Sequence, residues 1–280
     1  MRARRTLLFA PGDRTEVHPK ALATGADVVC LDLEDAVAPD RKAAARAAAV
    51  PFLRADDAVE RVLRINSPRS AEGLRDLLAV IEARPQGGVV FLPKVATADE
   101  VRWVAGLLDE AGLGLAIAVL IESVEGLENV AAILSASPRI AFAMFGGADL
   151  SAELGVRIAD QPLLYARSRV VHAARLAGID VFDVPSLDFR DLDIVRAEAL
   201  RAGELGFTGK GVIHPSNVTV VNEAFSPSAE EVEKARKIVA AYQASPTGLA
   251  VVDGKLVERP VIRSMERILA LANLTGNAEV

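Results

Sequence analysis

Ten polar residues stand at or just beyond the ends of short apolar runs: Arg14, Asp32, Glu34, Asp35, Arg64, Asn66, Lys94, Glu122, Asp149 and His214. The runs themselves are nearly free of charge. Glu122 and Asp149 each close a run, and two carboxylates so placed can share one hard cation. Mg²⁺ fits, because it takes one or two carboxylates and leaves its other positions to water and substrate oxygens. The same residues, set before Ser123 and before Leu150-Ser151, could instead cap the helices that follow. Gly146-Gly147 ahead of Asp149 either admits a ligand close to the backbone or only bends the chain.

Arg64 carries a planar fork suited to a carboxylate, and an arginine among apolar strands requires an anionic partner. That partner is a substrate, or a structural ion pair with Glu34 or Asp35, or both. Asp32-Leu33-Glu34-Asp35 forms a dense acidic cluster whose buried members need cations, with Arg64, Arg14 and metal-bound water as candidates. On a strand, Asp32 and Glu34 point to one face. Arg14 meets a substrate anion or makes a surface ion pair. Lys94 is also compatible with a Schiff-base role. His214 reads as hydrogen-bonded and structural ahead of a base, and Cys30, between Val29 and Leu31, as core.

These residues need a scaffold that gathers strand ends. The candidate strands are Thr6–Pro11, Val28–Glu34, Arg61–Asn66, Gly88–Lys94, Leu115–Ile121, Ile140–Phe145, Asp180–Val184 and Gly211–His214. Their ends recur at steps of 23 to 36 residues, about 29 on average, the size of one βα unit. Amphipathic stretches lie between them. Ala71–Glu82 carries Leu74, Leu77, Leu78 and Ile81 at helical spacing, and Thr97/Glu100 and Ser228/Glu231 form capping-box patterns. Eight strand–helix units predict an α/β fold, a (β/α)₈ TIM barrel, whose active site lies at the C-terminal ends of the strands. The barrel is expected over 1–244. Residues 245–280 form a C-terminal extension with a Pro246/Gly248 turn, a β-like piece at Leu249–Val252, an Asp253-Gly254 turn and a helix over Val261–Ala272.

Of 280 residues, 51% are apolar and the formal charge is −6. The apolar fraction supports a large core, and the acidic balance disfavours nucleic-acid partners. Twelve aromatic residues are too few for a base-stacking platform, and three histidines with one cysteine cannot make a Cys/His zinc site. No apolar run approaches the ~20 residues of a membrane-spanning helix. The basic Arg2-Ala3-Arg4-Arg5 start precedes an apolar stretch too short for a secretory signal. A cytoplasmic protein is the expectation.

The ordered motifs LLFAPGDR, GADVVCLDLEDAV, RVLRINSP, LPKV, IESVEG, MFGGADLSAELG, GKGVIHPSNV and DGKLVERPV resemble the citrate lyase β-subunit family. This group of Mg-dependent acyl-CoA lyases sits within the HpcH/HpaI-type aldolase superfamily, and the resemblance covers essentially the whole chain. It implies a homotrimeric or hexameric barrel, an acyl-CoA substrate and a Mg²⁺ cofactor held by Glu122 and Asp149. It also implies a substrate-binding role for Arg64, with Glu34 and Asp35 supporting that arginine and metal-bound water. Arg14 and Lys20 are implied to hold the substrate acid or CoA phosphates. The family places a catalytic aspartate on a C-terminal segment that covers a neighbouring subunit. Here the matching Leu256-Val257-Glu258-Arg259-Pro260 holds Glu258, one methylene longer, which is the implied acid/base; its plain alternative is a surface glutamate beside Arg259. Asn217 stands where the family often has glutamine.

The implied reaction is retro-Claisen cleavage of a 3-hydroxyacyl thioester such as malyl-, citramalyl- or citryl-CoA. Alternatives on the same site are thioester hydrolysis and cleavage of citryl groups on an acyl carrier protein within a citrate lyase complex. A non-catalytic scaffold subunit is disfavoured by the charges kept at the strand ends.

Overall fold

A computed structural model describes residues 2–55, 58–245 and 249–275. Eight strands form a closed parallel barrel in sequential order: β1 Thr6–Pro11, β2 Val28–Asp32, β3 Glu60–Arg64, β4 Val89–Leu92, β5 Ala116–Ile121, β6 Ile140–Phe145, β7 Asp180–Asp183 and β8 Gly209–Val212. The helices between them are α1 His18–Leu22, α2 Lys42–Ala49, α3 Ala71–Ala83, α4 Ala98–Glu110, α5 Val124–Glu128, α6 Val130–Leu134, α7 Gly147–Leu154, α8 Asp160–Ala177 and α9 Leu192–Leu205. Then follow α10 Asn217–Ala224, α11 Ala229–Gln243, a hairpin of β9 Ala250–Val252 and β10 Lys255–Val257, and α12 Arg259–Thr275. Parallel strands separated by helices can close only if each crossover lays its helix on the outside, so the expected (β/α)₈ barrel is the fold.

The barrel core is filled by side chains from its strands. Leu7, Val28, Cys30, Val62, Val89, Phe91, Ala118, Leu120, Phe142, Met144 and Phe182 pack in one cluster, a filled interior rather than a pore. Phe142 meets Phe182 edge-on at a centroid distance of 5.1 Å. A Cβ on Gly209 would come within 2.4 Å of the Arg4 carbonyl, and one on Gly211 within 2.6 Å of Met144 Cε. These contacts explain why β8 starts two residues earlier than its apolar residues indicate: glycine occupies the crowded positions that apolar side chains hold in the other strands.

Both capping boxes are present. Glu100 Oε1 accepts the Thr97 N–H at 2.9 Å, and Ser228 exchanges hydrogen bonds with Glu231 at 2.8 and 3.2 Å. Helix α3 differs from its apolar pattern, since Leu74 and Leu78 are exposed while Gly73, Asp76, Leu77 and Val80 are buried. The helix is turned to bring the Asp76 carboxylate onto Asn66 and Arg46.

The chain divides into two compact units, one of Arg4–Asn222 and one that joins the N-terminal Arg2 and Ala3 to the segment from Glu223 onward. In the second, α11 packs on α12, and Ile238, Val252, Val257 and Ile262 form a small core. Asp253 and Gly254 both take positive φ, 49° and 74°, the requirement of a tight two-residue hairpin. The expected Pro246/Gly248 turn lies outside the described residues. Among the described residues no helix is long and apolar enough to cross a membrane.

Candidate active site

Asp32 and Arg64 are the last residues of β2 and β3, and they are partners in the parallel register. Registered neighbours present their side chains to the same face of the sheet. Arg64 Nε donates to Asp32 Oδ1 at 2.8 Å, and Nη2 donates to Oδ2 at 2.6 Å. The same carboxylate, 2% exposed, accepts the N–H groups of Glu34 at 2.8 Å and Ala36 at 3.1 Å. It therefore holds both the arginine and the turn that follows β2. The guanidinium also lies over Phe9, 5.2 Å from the ring centroid. Burial opposes the charge of Arg64, but the Asp32 hydrogen bond and the charges of Asp32 and Glu34 outweigh it, and the group is held above its ordinary value.

Strand β2 ends at Asp32, so Glu34 is positioned by the turn rather than by strand alternation. It still reaches the same arginine, with Oε2 3.2 Å from Arg64 Nη1, while Oε1 lies 2.8 Å from Lys94 Nζ. Asp35 is exposed and 3.7 Å from the same ammonium. Burial is the main cause that raises the Glu34 carboxyl above its ordinary range, against Arg64 and Lys94, which lower it. For Lys94, burial disfavours the charge, yet the Glu34 hydrogen bond and the charges of Glu34, Asp35 and Glu122 prevail and its pKa is raised. A lysine held protonated is a poor imine-former, which argues against the Schiff-base alternative.

Glu122 follows β5 directly and Asp149 lies in the first turn of α7, after β6. Glu122 Oε1 accepts the Lys94 N–H at 2.7 Å, and Asp149 is near enough to raise its carboxyl's affinity for a proton. Helix α5 is capped by Ser123, which accepts the Gly126 N–H at 3.0 Å, so Glu122 is free of that task. Burial, then Asp149 and the negative charge of Glu34, push the Glu122 carboxyl up to about 9. Close carboxylates raise each other's affinity for a proton, and a cation relieves the same repulsion.

One further feature fits a metal here. Gly146 cradles Glu122 so closely that a Cβ would sit 2.3 Å from Glu122 Cβ. Among the described residues no group of three or more His, Cys, Asp or Glu side chains is arranged to hold a metal. The protein's offer is thus a carboxylate pair, the donor set that suits Mg²⁺ with water and substrate completing it.

Other sequence candidates lie differently. Arg14 is exposed and pairs with Glu16 at 3.2 Å. Lys20, on α1, is exposed. His214 is exposed, hydrogen-bonds Ser216 Oγ at 2.7 Å and stacks on Phe189 at 5.3 Å. Cys30 is fully buried, and burial pushes its thiol well above the ordinary range. Glu258 belongs to the second unit, where its carbonyl accepts the Val261 and Ile262 N–H groups at the start of α12 and its side chain is exposed.

Sequence reasoning named Asp32 as a buried acid but did not place it among the working residues. It also passed over the support behind the acidic turn. Lys42 Nζ donates to the Leu33 carbonyl at 2.7 Å and to Asn66 Oδ1 at 2.8 Å. Asp76, wholly buried, accepts the Asn66 N–H at 2.8 Å and Arg46 Nε at 2.6 Å. The only sequence signal was an aspartate inside the apolar pattern of α3.

Residues 5–215 match the model of the HpcH/HpaI aldolase/citrate lyase family. The L-malyl-CoA/beta-methylmalyl-CoA lyase of Cereibacter sphaeroides is 34% identical, with 98% of this chain and 96% of the relative covered. A (3S)-malyl-CoA thioesterase of the same species is also 34% identical, over 96% and 94% of the two chains. Among solved structures, Mycobacterium tuberculosis CitE in complex with magnesium, acetoacetate and coenzyme A superposes with a TM-score of 0.83 at 34% identity, covering 97% of this chain and 98% of that one.

Proposed function

The chain belongs to the HpcH/HpaI aldolase/citrate lyase family, and on that premise we propose that it is a Mg²⁺-dependent carbon–carbon lyase cleaving a 3-hydroxyacyl-CoA thioester of the malyl-, citramalyl- or citryl-CoA type. The observation that carries this reading is the continuous chain Asp32–Arg64–Glu34–Lys94–Glu122 across the strand ends, with Asp149 acting on the Glu122 carboxyl. Glu122 and Asp149 would hold the metal. Bound there, Mg²⁺ supplies Lewis-acid polarisation of substrate oxygens and a template for the departing 2-oxo acid.

In the cleavage, the 3-hydroxyl loses its proton and becomes the carbonyl of the 2-oxo acid. The C2–C3 electron pair passes to the thioester as an enolate, which takes up a proton at carbon to give the acyl-CoA. Arg64, pre-oriented by Asp32, is the group to stabilise the developing charge on the thioester oxygen. Glu34 supports that arginine, and Asp35, exposed beside the Lys94 ammonium, is assigned to the water of the site. Glu258 is assigned the proton transfer at carbon, delivered from a neighbouring subunit of a homotrimer or hexamer by the 245–280 extension, which serves as a lid. Arg14 and Lys20, exposed cations near one another in sequence, are assigned to the substrate acid or CoA phosphates. A cytoplasmic location suits this substrate.

Hydrolysis of the thioester is the second reading, favoured by the equal 34% identity to a malyl-CoA thioesterase. An acyl carrier protein as thioester donor is the third. Incubating the protein with malyl-, citramalyl-, citryl- and methylmalyl-CoA and Mg²⁺ separates them. Release of a 2-oxo acid with the thioester intact supports the lyase, and free thiol without 2-oxo acid supports the thioesterase. Inactivity on all four CoA esters, with activity on a citryl-carrier protein, supports the third.

A further inference from the structure

Three described non-glycine residues have positive φ: Arg84, Lys94 and Asp253. Arg84 ends helix α3 and Asp253 sits in the hairpin turn, two places where chain reversal calls for left-handed backbone. Lys94 follows a barrel strand, with φ 55°. That conformation is unfavourable for any residue with a Cβ and free to glycine.

What the conformation achieves is visible in the contacts. The Lys94 N–H donates to Glu122 Oε1 at 2.7 Å, while its Nζ lies 2.8 Å from Glu34 Oε1. We infer that Lys94 is a positioning residue that joins the two halves of the site through different parts of itself, the backbone orienting Glu122 and the ammonium orienting Glu34. A glycine would supply the N–H with less strain, so the lysine side chain is the part whose presence the backbone geometry does not explain.

The ammonium has a geometric task. Glu34 is almost fully buried and faces Arg64 through Oε2 and Lys94 through Oε1. The Lys94 side chain is 46% exposed, so it closes this buried carboxylate off at the edge of the site. With the ammonium gone, one oxygen of Glu34 has no cation. The carboxylate is then free to swing toward Arg64 or toward water, and the guanidinium loses its fixed neighbour. A displacement of about 1 Å at a reacting centre costs on the order of 10²-fold in rate.

This inference rests on the lyase reading for its kinetic part only. The test uses the full chain and two variants. Lys94→Gly keeps the N–H and relaxes the backbone while removing the ammonium; Lys94→Arg keeps a cation. Relief of strain and the greater freedom of glycine in the unfolded chain oppose each other, and the lost half-exposed ion pair costs about 1 kcal/mol because Glu34 keeps Arg64, so Tm should fall by no more than about 5 °C. Mg²⁺ affinity of Lys94→Gly, measured by calorimetry, should stay within about 3-fold of the parent, because the Glu122 contact is retained. Its kcat should fall about 10-fold or more with KM changed less than about 3-fold, and Lys94→Arg should recover much of the loss.

Parental kcat in Lys94→Gly overturns the role of the ammonium. Lost Mg²⁺ binding or a large drop in Tm in that variant reduces Lys94 to a structural residue and also overturns it. Calorimetry needs no substrate. A parent inactive on every thioester therefore counts against the lyase reading, whereas altered Mg²⁺ affinity in Lys94→Gly counts against this inference.

Discussion

Asp32 grips Arg64 with both carboxylate oxygens, at 2.8 and 2.6 Å, and the two residues are register partners on adjacent strands. Removing the arginine leaves the buried Asp32 without a cation, at a cost of about 3–5 kcal/mol, whereas removing Asp32 leaves Arg64 with Glu34. Arg64→Ala is expected to abolish turnover and lower stability. Arg64→Lys should recover little, since a point charge cannot span both oxygens. Asp32→Asn should leave the fold intact and cut kcat about 10²-fold, because the arginine loses its fixed orientation. Steady-state kinetics alongside thermal melts decide this; near-parental activity in Arg64→Lys reduces Arg64 to a generic cation.

Glu122→Gln and Asp149→Asn are expected to lose Mg²⁺ binding while remaining folded. Each removes one negative charge from the pair that would hold the ion. Calorimetry with Mg²⁺ and circular dichroism read the two properties separately, and parental affinity in both variants would sink the assignment.

The response to pH follows from the Glu122 carboxyl, pushed up to about 9 by burial, Asp149 and Glu34. A carboxyl whose folded value is raised contributes stability that is full below its ordinary value and is lost as pH rises toward about 9. Metal-free protein should therefore lose thermal stability between pH 6 and 8.5. Mg²⁺ must displace the bound proton, so its affinity and its stabilising effect should both grow over that interval. Thermal shift with and without Mg²⁺ at the two pH values checks it, and equal metal-induced shifts would contradict it.

Gly146→Ala places a methyl 2.3 Å from Glu122 Cβ, and 3.1 Å from its Oε2. Glu122 Cβ is fixed by its backbone, whose Cα lies 3.2 Å away, so a side-chain rotation alone does not relieve the clash. We expect destabilisation of about 1–3 kcal/mol and weaker Mg²⁺ binding. A variant with parental Tm and metal affinity would show that the cradle has more room than its geometry indicates.

Glu258→Gln is expected to reduce kcat about 10²-fold or more with little effect on Mg²⁺ affinity, and Glu258→Asp to retain activity. If the residue acts in trans, co-assembling the inactive Glu258→Gln and Arg64→Ala chains should restore up to about a quarter of parental activity by random mixing of subunits. Sedimentation of the parent should show a trimer or a dimer of trimers. Restored activity requires a neighbouring subunit, so a mixture that stays inactive argues for action within one chain.

The barrel was readable in the residues themselves because each βα unit repeats one local pattern: a short apolar run, a polar stop and an amphipathic stretch. β1 and β6 have the boundaries that pattern predicts, Thr6–Pro11 and Ile140–Phe145. The same repeat fixes which strand end is the site end, so Arg64, Glu122 and Asp149 could be singled out by position alone. β8 was displaced because its signal rests on Gly209 and Gly211, residues chosen for what must not be there.

What only the tertiary structure decided is who partners whom. Asp32 and Arg64 are 32 residues apart and meet because β2 and β3 pair in one register and not another. The union of Glu34 with Glu122 passes through Lys94, whose left-handed backbone leaves no trace in residue type. Asp76 looks like a flaw in an apolar helix face until Asn66 and Arg46 are seen on it. Local propensities act over a few residues, and they specify elements. Register, helix rotation and buried ion pairing are settled by the packing of the whole ring, where one carboxylate can be satisfied only by the cation that the neighbouring strand happens to deliver.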